Sequence, residues 1–186
     1  MFKEAQSDTK LPQEHAIHFF KYCPHCGSDD FKAIGLKEFK CGKCGFNFFP
    51  NSAAAVACII EDEAGHIMLT RRARDPWKGL LDLPGGFVDP GERAETAIRR
   101  EIREELGVDV IDASFLCSFP NKYIFSGYQV QTTDMAFVCH LSDLKSIRPL
   151  DDIDGVEWFS RDQLPIDQVP AESIRNILNF YQYKNK

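Results

Sequence analysis

The chain has 186 residues, of which 44% are hydrophobic and 27% are charged, a globular composition that excludes extensive disorder. Its 28 acidic residues outnumber its 22 basic ones, so the formal net charge is −6. This balance argues against a protein whose main task is to bind nucleic-acid phosphates, and it suits one that gathers divalent cations. No stretch resembles a signal peptide, and the longest apolar run, residues 53–60, is too short to span a bilayer. We therefore expect a cytoplasmic protein with no membrane partner.

Four cysteines near the N-terminus have the spacing of metal ligands. Cys23 and Cys26 form one Cys-x2-Cys pair, Cys41 and Cys44 form a second, and fourteen residues separate the inner cysteines. Two such pairs complete a tetrahedral shell of four thiolates around one ion. The spacing predicts a structural Zn²⁺ in a zinc-ribbon module. Two disulfides, or a redox-active Cys-x2-Cys pair, are the alternatives.

We assign residues 1–50 to an N-terminal segment with this ribbon and residues 51–186 to a second domain. The second domain mixes strands and helices, because apolar β-branched runs alternate with turn residues and with two segments of helical period. The first predicted helix covers residues 92–106 and ends at Gly107. The predicted strands cover residues 53–61, 66–73, 110–119, 123–141 and 155–160, with a further short strand within residues 77–87, and the second helix covers residues 171–181.

One side of the first predicted helix carries glutamates beside its apolar residues. On a helical wheel, Glu101 and Glu105 fall on the buried side. Unpaired carboxylates there would cost several kcal/mol, and these two are neighbours at i and i+4. Divalent cations would resolve both problems, whereas a helix salt-bridged to neighbouring strands is the alternative. The apolar arc itself consists of Ala94, Ile98, Ile102 and Leu106.

The segment "LPGGFVDPGE" leads into this helix. Gly85 and Gly86 permit close approach of the backbone to a metal or an oxyanion, because they carry no side chain. A simple turn is the other interpretation of such a segment. The loop, the spacing and the inward carboxylates together favour a site.

Residues 86–108, "GFVDPGERAETAIRREIREELGV", resemble the Nudix box, G-x5-E-x7-R-E-U-x-E-E-x-G-U, where U is aliphatic. The resemblance to a Nudix hydrolase extends over most of residues 51–186, including "LPGG" before the box and "VEWFSRDQLP" near the end. Every fixed position of the box is filled, by Gly86, Glu92, Arg100, Glu101, Ile102, Glu104, Glu105, Gly107 and Val108.

The resemblance implies an α/β fold, an α/β/α sandwich around a mixed sheet. It implies an enzyme, a pyrophosphohydrolase that cleaves a nucleoside diphosphate linked to another moiety. It also implies Mg²⁺ or Mn²⁺ held by Glu101, Glu104 and Glu105, with the carbonyl of Gly85 as a further ligand. Glu92 and Arg100 correspond to the ion pair that supports the loop and helix in this family.

A zinc ribbon before a Nudix domain resembles the NADH pyrophosphatases and related enzymes that act on ADP-ribose or FAD. NADH pyrophosphatases carry a further motif, S-Q-P-W-P-F-P-x-S. The corresponding segment here, "CSFPNKYIFSGY", keeps Ser118 and Pro120 but lacks the Trp and Phe of the motif, which argues against NADH as the preferred substrate. Gly86, Phe119 and Tyr123 are candidate substrate-binding residues. The two aromatic rings could stack on adenine or flavin, with a place in the core as the alternative.

Candidates for the general base are Glu104, Asp152, Asp154 and Glu157. A non-catalytic ligand sensor, or a nucleic-acid-binding protein that uses the ribbon, is the alternative function. The expected partner is a small nucleotide; RNA with a dinucleotide-like 5′ cap is the one nucleic acid that the same chemistry would accept. The ribbon and the strands could support a homodimer.

Overall fold

The computed structural model describes residues 16–35 and 37–184, apart from the side chain of Ile17. The stretch up to residue 15, where we expect no signal peptide, lies outside these residues. The described residues divide into two compact units. One comprises those through Asn51 together with Ile124–Val130, and the other comprises Ser52–Tyr123 and those from Gln131 onward. No helix within the described ranges has the length and hydropathy needed to cross a membrane.

The first unit contains a small antiparallel sheet in the order β1-β2-β3. Its strands are β1 (Phe31–Ile34), β2 (Glu38–Cys41) and β3 (Asn47–Phe48), and a short 3-10 helix, Ala16–His18, precedes them. The buried core contains Phe31 and Phe39 together with Cys23 and Cys41. A core this small rarely stabilises a unit by itself, so a bound metal would contribute much of the stability.

The second unit contains two sheets, in the orders β7-β4-β9-β8 and β10-β5-β6, apart from residues 124–130 of the β8–β9 segment, which belong to the first unit. The first is mixed, because β4 runs parallel to β9 and antiparallel to β7. In the second, β5 pairs antiparallel with both neighbours. The strands are β4 (Ala53–Ile60), β5 (His66–Arg72), β6 (Leu81–Asp82), β7 (Gly85–Phe87), β8 (Val110–Phe125), β9 (Tyr128–Leu141) and β10 (Ile153–Ser160).

Two helices, α1 (Ala94–Leu106) and α2 (Glu172–Lys184), cover opposite faces of these sheets. Successive side chains of β4 point to opposite faces, so Val56, Cys58 and Ile60 pack in the cluster with α1, and Ala57 and Ile59 in the cluster with α2. The helices contribute Ala97, Ile98, Ile102 and Leu106 from α1 and Ile174, Ile177, Leu178 and Tyr181 from α2. The predicted α/β/α sandwich around a mixed sheet is confirmed.

Helix α1 begins two residues later than predicted. The Glu92 carboxylate accepts a hydrogen bond from the backbone N–H of Asp89 (3.1 Å), which holds Glu92 in the preceding turn. The predicted end is correct. Gly107 has a left-handed φ of 71°, and its N–H donates to the carbonyl of Arg103 at 3.1 Å, which caps the helix.

The single strand predicted over residues 123–141 is wrong, because a two-residue turn interrupts it. Ser126 and Gly127 have φ values of 51° and 76°, as a tight hairpin turn with positive φ at both central residues requires. Strands β8 and β9 therefore form one long hairpin, and the dipeptide Ser-Gly is its signal in the sequence.

Candidate active site

Helix α1 places two carboxylates on its buried side. Glu105 is 9% exposed, and the side chain of Glu101 is 13% exposed. The backbone N–H of Gly85 donates to Oε2 of Glu105 at 2.8 Å. Burial nevertheless raises the pKa of Glu105 to about 8, and burial also raises the pKa of Glu101. Glu105 therefore lacks the charge compensation that a cation would supply, whereas Arg100 compensates part of the charge of Glu101.

The two glycines of β7 have steric reasons to be glycine. A Cβ on Gly85 would lie 2.1 Å from the carbonyl oxygen of Val56, and the φ of Gly85 is 142°. A Cβ on Gly86 would lie 2.6 Å from the carboxyl carbon of Glu101. Strand β7 therefore approaches β4 on one side and the Glu101 carboxylate on the other.

Arg100 connects the loop before α1 to the glutamates of the helix. Its Nε and Nη2 donate to the two carboxylate oxygens of Glu92 at 3.2 and 3.0 Å. Its Nη1 donates to Glu101 at 2.9 Å and to Glu104 at 3.0 Å, and Nη2 also donates to the carbonyl of Phe87 at 3.0 Å. These bonds, that of Glu92 first, raise the pKa of Arg100, and the guanidinium lowers the pKa of Glu92.

The acidic side of α1 fits a divalent cation in the chemistry of its donors. Glu101, Glu104 and Glu105 offer carboxylate oxygens, which hard cations such as Mg²⁺ prefer. Their oxygens do not converge within 4.8 Å, a closeness that only the four ribbon cysteines reach among the described residues. Arg100 binds two of these glutamates and the N–H of Gly85 binds the third. A bound cation would supply the charge compensation that the buried Glu105 lacks.

A cleft of about 210 Å³ opens beside Gly85, Gly86 and Glu105. The small side chains of Ala55 and Ala57 on β4 leave this space open. Aromatic rings form one wall: the Tyr123 ring lies 6.1 Å from the rings of both Trp77 and Phe87, edge to face in each case. The cleft thus joins the acidic side of α1 to an aromatic surface, and its lining also includes Arg72, Asp82, Thr132, Asp134 and Asp152.

The residues predicted to bind substrate separate into two locations. Gly86 and Tyr123 line the cleft. Phe119 does not line it; the ring packs against the core beneath α2, 6.4 Å from the ring of Phe180.

The four candidate bases also differ in position. Asp152 lines the cleft, and an ion pair with Nε of Arg74 at 2.8 Å orients it. The Glu104 side chain is 51% exposed and bonded to Arg100. Asp154 is exposed, and Glu157 accepts a hydrogen bond from Nε of Arg71 at 2.8 Å.

Sequence reasoning missed Trp77, Phe87, Arg72 and Asp134, which all line the cleft. The guanidinium of Arg72 lies 6.0 Å from the Trp77 ring centroid and pairs with Asp82 at 2.9 Å. One signal was available for Asp134: an acidic residue inside the apolar segment "TTDMAFVC" is buried only with partners. Trp77, Phe87 and Arg72 have no such signal in the sequence, because only the folding of the chain brings them to the cleft.

The four cysteines of the ribbon have the geometry of a zinc site. Their sulfur atoms all lie within 4.8 Å of one another, with 3.7 Å between Cys23 and Cys44 and 3.6 Å between Cys26 and Cys41. Thiolates at about 2.3 Å around a tetrahedral zinc lie about 3.8 Å apart, whereas a disulfide has a bond of about 2.05 Å. The four cysteines form no disulfide in the structure, which favours the zinc site over the disulfide alternative. The N–H of Cys44 lowers the pKa of Cys41 to about 7, whereas burial and the neighbouring thiols raise the pKa of Cys44 to about 12.

The sequence model of the NUDIX domain family matches residues 51–179. The chain therefore belongs to the Nudix family, and the prediction made from the box is confirmed at this level. The family uses divalent metals, in agreement with the acidic side of α1.

Several characterised relatives are named for one activity. The NAD-capped RNA hydrolase NudC of Stutzerimonas stutzeri is 24% identical over 165 residues, which cover 87% of this chain and 55% of that protein. The NAD-capped RNA hydrolase of Schizosaccharomyces pombe is 27% identical over 90% of this chain and 51% of its own length. The chain thus spans about half the length of these relatives.

Solved structures give the same fold. A MutT NUDIX hydrolase from Burkholderia pseudomallei is 30% identical, with a TM-score of 0.59, and the match covers 69% of this chain and 97% of that one. A NUDIX hydrolase from Nitrosomonas europaea superimposes with a TM-score of 0.67 at 24% identity, over 88% of this chain and 91% of the other. The second likeness carries information on the fold alone.

Proposed function

We propose that the chain is a pyrophosphohydrolase that depends on Mg²⁺ or Mn²⁺. Its substrate is a nucleoside diphosphate linked to another moiety, of the ADP-ribose, FAD or NADH type, and one product is a nucleoside monophosphate. The observation that carries this proposal is the buried Glu105, which lines the cleft beside Gly85 and has Glu101 one helical turn before it. Family membership and the names of the relatives support the same class of reaction.

Glu101, Glu105 and Glu104, with the carbonyl of Gly85, would hold the cation. When bound, the cation neutralises the negative charge of the diphosphate and lowers the pKa of a coordinated water. Arg100 keeps Glu101 and Glu104 oriented and balances part of their charge before substrate arrives. Glu92 fixes Arg100 in turn, so both residues position the ligands and do not react.

The reaction adds one water molecule across a P–O–P bridge. A bond forms between the water oxygen and one phosphorus atom, the bond from that phosphorus to the bridging oxygen breaks, and a carboxylate takes the water proton. We assign this proton to Asp152, because it is the one of the four candidate acids that lines the cleft with Glu105. Its ion pair with Arg74 holds the carboxylate in place.

RNA with an NAD-like 5′ cap is a second candidate substrate. The relatives in Stutzerimonas stutzeri and Schizosaccharomyces pombe are named NAD-capped RNA hydrolases, and such a cap contains the same diphosphate bridge. The same residues would hydrolyse the diphosphate bridge of a free dinucleotide and of a capped RNA. The choice between them therefore needs direct comparison.

The proposal extends to the ribbon and to the location of the protein. We propose that residues 1–50 hold one structural Zn²⁺ and that residues 51–186 hold the catalytic domain. Four thiolates remain metal ligands only where they stay reduced, which supports a cytoplasmic location. A homodimer remains a prediction of the sequence.

A substrate panel tests the proposal. The full chain is incubated with Mg²⁺ or Mn²⁺ and ADP-ribose, FAD, NADH or NAD-capped RNA, and products are separated by chromatography. We expect a nucleoside monophosphate from at least one of ADP-ribose, FAD and NADH. The rate should fall about 100-fold or more in Glu105→Gln. The matched control is Glu95→Gln, which alters an exposed glutamate of α1 and should retain the rate. Binding without turnover of any compound would favour the sensor or nucleic-acid-binding alternative.

A further inference from the structure

A buried aspartate forms part of the cleft, away from the glutamates of α1. Asp134 is 6% exposed and lines the cleft, as does its neighbour Thr132. Both lie on β9, two residues apart, so their side chains point to the same face of the sheet. The parallel pairing of β9 with β4 sets Asp134 opposite Ala55, whose small side chain leaves open space beside the carboxylate.

Two hydroxyl groups hold the Asp134 carboxylate. Oγ of Thr132 donates to Oδ1 at 2.6 Å, and Oγ of Ser173 donates to Oδ2. Ser173 belongs to the first turn of α2. Among the described residues, no lysine, arginine or histidine forms an ion pair with Asp134. The adjacent Asp82, by contrast, is bonded to Arg72 and to the N–H of Leu83.

An ionised carboxylate accepts about four hydrogen bonds, and these hydroxyls supply two. The remaining acceptor positions are buried in the wall of a cleft, where an unmatched charge is costly. A ligand that donates N–H groups would supply the missing partners. A phosphate or a second carboxylate would instead be repelled.

The strand register places an aromatic ring across from this carboxylate. Ala55 is paired with Asp134 on one side and with Phe87 of β7 on the other, so the three side chains share one face. Two strand spacings, about 10 Å, separate the backbones of Phe87 and Asp134. Ala55 forms the floor between them, and Trp77 and Tyr123 continue the aromatic wall. This space suits a flat heterocycle that contacts aromatic rings and has N–H donors on one edge.

We propose that the cleft binds the adenine ring of the substrate and that Asp134 accepts a hydrogen bond from its 6-amino group. Asp134 is then a specificity-determining residue, outside the box that carries the chemistry. The inference rests on the proposed function, because it assumes a substrate whose diphosphate extends from this ring toward Glu105. It adds that the adenine-bearing half of the substrate occupies the cleft and that the Asp134 side chain selects it.

The test compares two nucleotides that differ only in this amino group. Binding of AMP and of purine riboside 5′-monophosphate to the full chain is measured by calorimetry in the presence of Mg²⁺. We expect the wild-type chain to bind AMP about 10-fold more tightly, as a hydrogen bond to a charged acceptor implies. In Asp134→Ala, AMP should lose about 10-fold in affinity and the analogue less than about twofold.

Two variants control for the fold. Asp112→Ala removes an exposed aspartate of β8 and should keep the preference for AMP. Asp134→Asn keeps the shape of the side chain, and its weaker acceptor should reduce the preference while leaving the thermal melting temperature near that of the wild type. No measurable binding of AMP, equal binding of both nucleotides by the wild type, or equal losses for both in the Asp134 variants would overturn the inference.

Hydrolysis of ADP-ribose, measured in parallel, separates this inference from the proposed function. Glu105-dependent hydrolysis without a preference for AMP would overturn the role of Asp134 and leave the function in place. A preference for AMP that depends on Asp134, without any hydrolysis, would support the adenine site and contradict the function.

Discussion

Glu105 combines three properties that rarely occur together in one carboxyl group. It is buried, it borders a cleft, and its pKa is raised to about 8, first by burial and then by nearby acidic groups. Its one hydrogen bond, from the N–H of Gly85, offsets part of this cost. A buried acid with a perturbed pKa in a cleft is typical of a functional site.

The raised pKa of Glu105 predicts how the stability of the metal-free protein depends on pH. A folded-state pKa above the unfolded value of 4.5 means that the native state holds this proton more tightly. The contribution is therefore complete below pH 4.5 and disappears as the pH rises through about 8. We expect a loss on the order of 4 kcal/mol by pH 9 from this group.

Urea unfolding between pH 4.5 and 9, without added Mg²⁺ or Mn²⁺, checks this expectation. Glu105→Gln should be more stable than the wild type at pH 9 and should lack most of the pH dependence. The exposed Glu95→Gln serves as control and should follow the wild type. A Glu105→Gln curve parallel to that of the wild type would show that Glu105 does not titrate in this way.

The two glycines of β7 should respond differently to substitution. Gly86→Ala should mainly reduce activity, whereas Gly85→Ala should mainly reduce stability. A Cβ at position 86 meets the end of the flexible Glu101 side chain, which can move aside. Gly86→Ala should thus cost about 1 kcal/mol or less in stability and reduce activity about 10-fold or more, because Glu101 is displaced. A Cβ at position 85 meets the carbonyl of Val56, so Gly85→Ala should cost about 3 kcal/mol or more.

Urea unfolding and initial rates, measured on the same preparations, check this contrast. Gly155→Ala is the control, since a Cβ there meets no atom within 4 Å and should change neither quantity. Equal effects of Gly85→Ala and Gly86→Ala on both quantities would contradict the positions assigned to β7 and Glu101.

At the scale of elements, the sequence predicted what local chemistry determines. The apolar spacing of α1 and its Gly107 cap are local signals, and both are correct in the structure. The spacing of the cysteines is equally local. The hairpin turn at Ser126 and Gly127 was missed, although the dipeptide Ser-Gly is a local signal for it, because residues with strand propensity flank it on both sides. The start of α1 was misplaced because Glu92 bonds back to Asp89 in the turn before the helix, although glutamate is itself a good helix former.

The ribbon supplies a prediction at the same scale. The four cysteines should bind one Zn²⁺ per chain, and Cys41→Ser should abolish binding because three thiolates leave the tetrahedral shell open. The small core of the first unit should then become accessible to proteases. Cys117→Ser, which lies outside the cluster, should retain one Zn²⁺ per chain. Elemental analysis with limited proteolysis checks both, and full zinc content in Cys41→Ser would contradict the assignment.

At the scale of the whole molecule, the cleft is what the sequence could not reveal. Its lining comes from strands β4 to β10, from both helices and from the loops around them. The register of β4 with β9 is parallel and long-range, so no local pattern places Ala55 beside Asp134. The box, by contrast, lies within one loop and one helix, and for that reason its residues could be named in advance.

The central claim is that the acidic side of α1 holds the cation that allows hydrolysis of a diphosphate bridge. The most direct measurement is the rate of AMP release from ADP-ribose as Mg²⁺ is titrated, for the wild type and for Glu105→Gln. We predict that the wild-type rate rises from near zero to a plateau, and that the Glu105→Gln rate stays at least about 100-fold lower throughout. A rate independent of Mg²⁺, or equal plateaus for the two proteins, would contradict the claim.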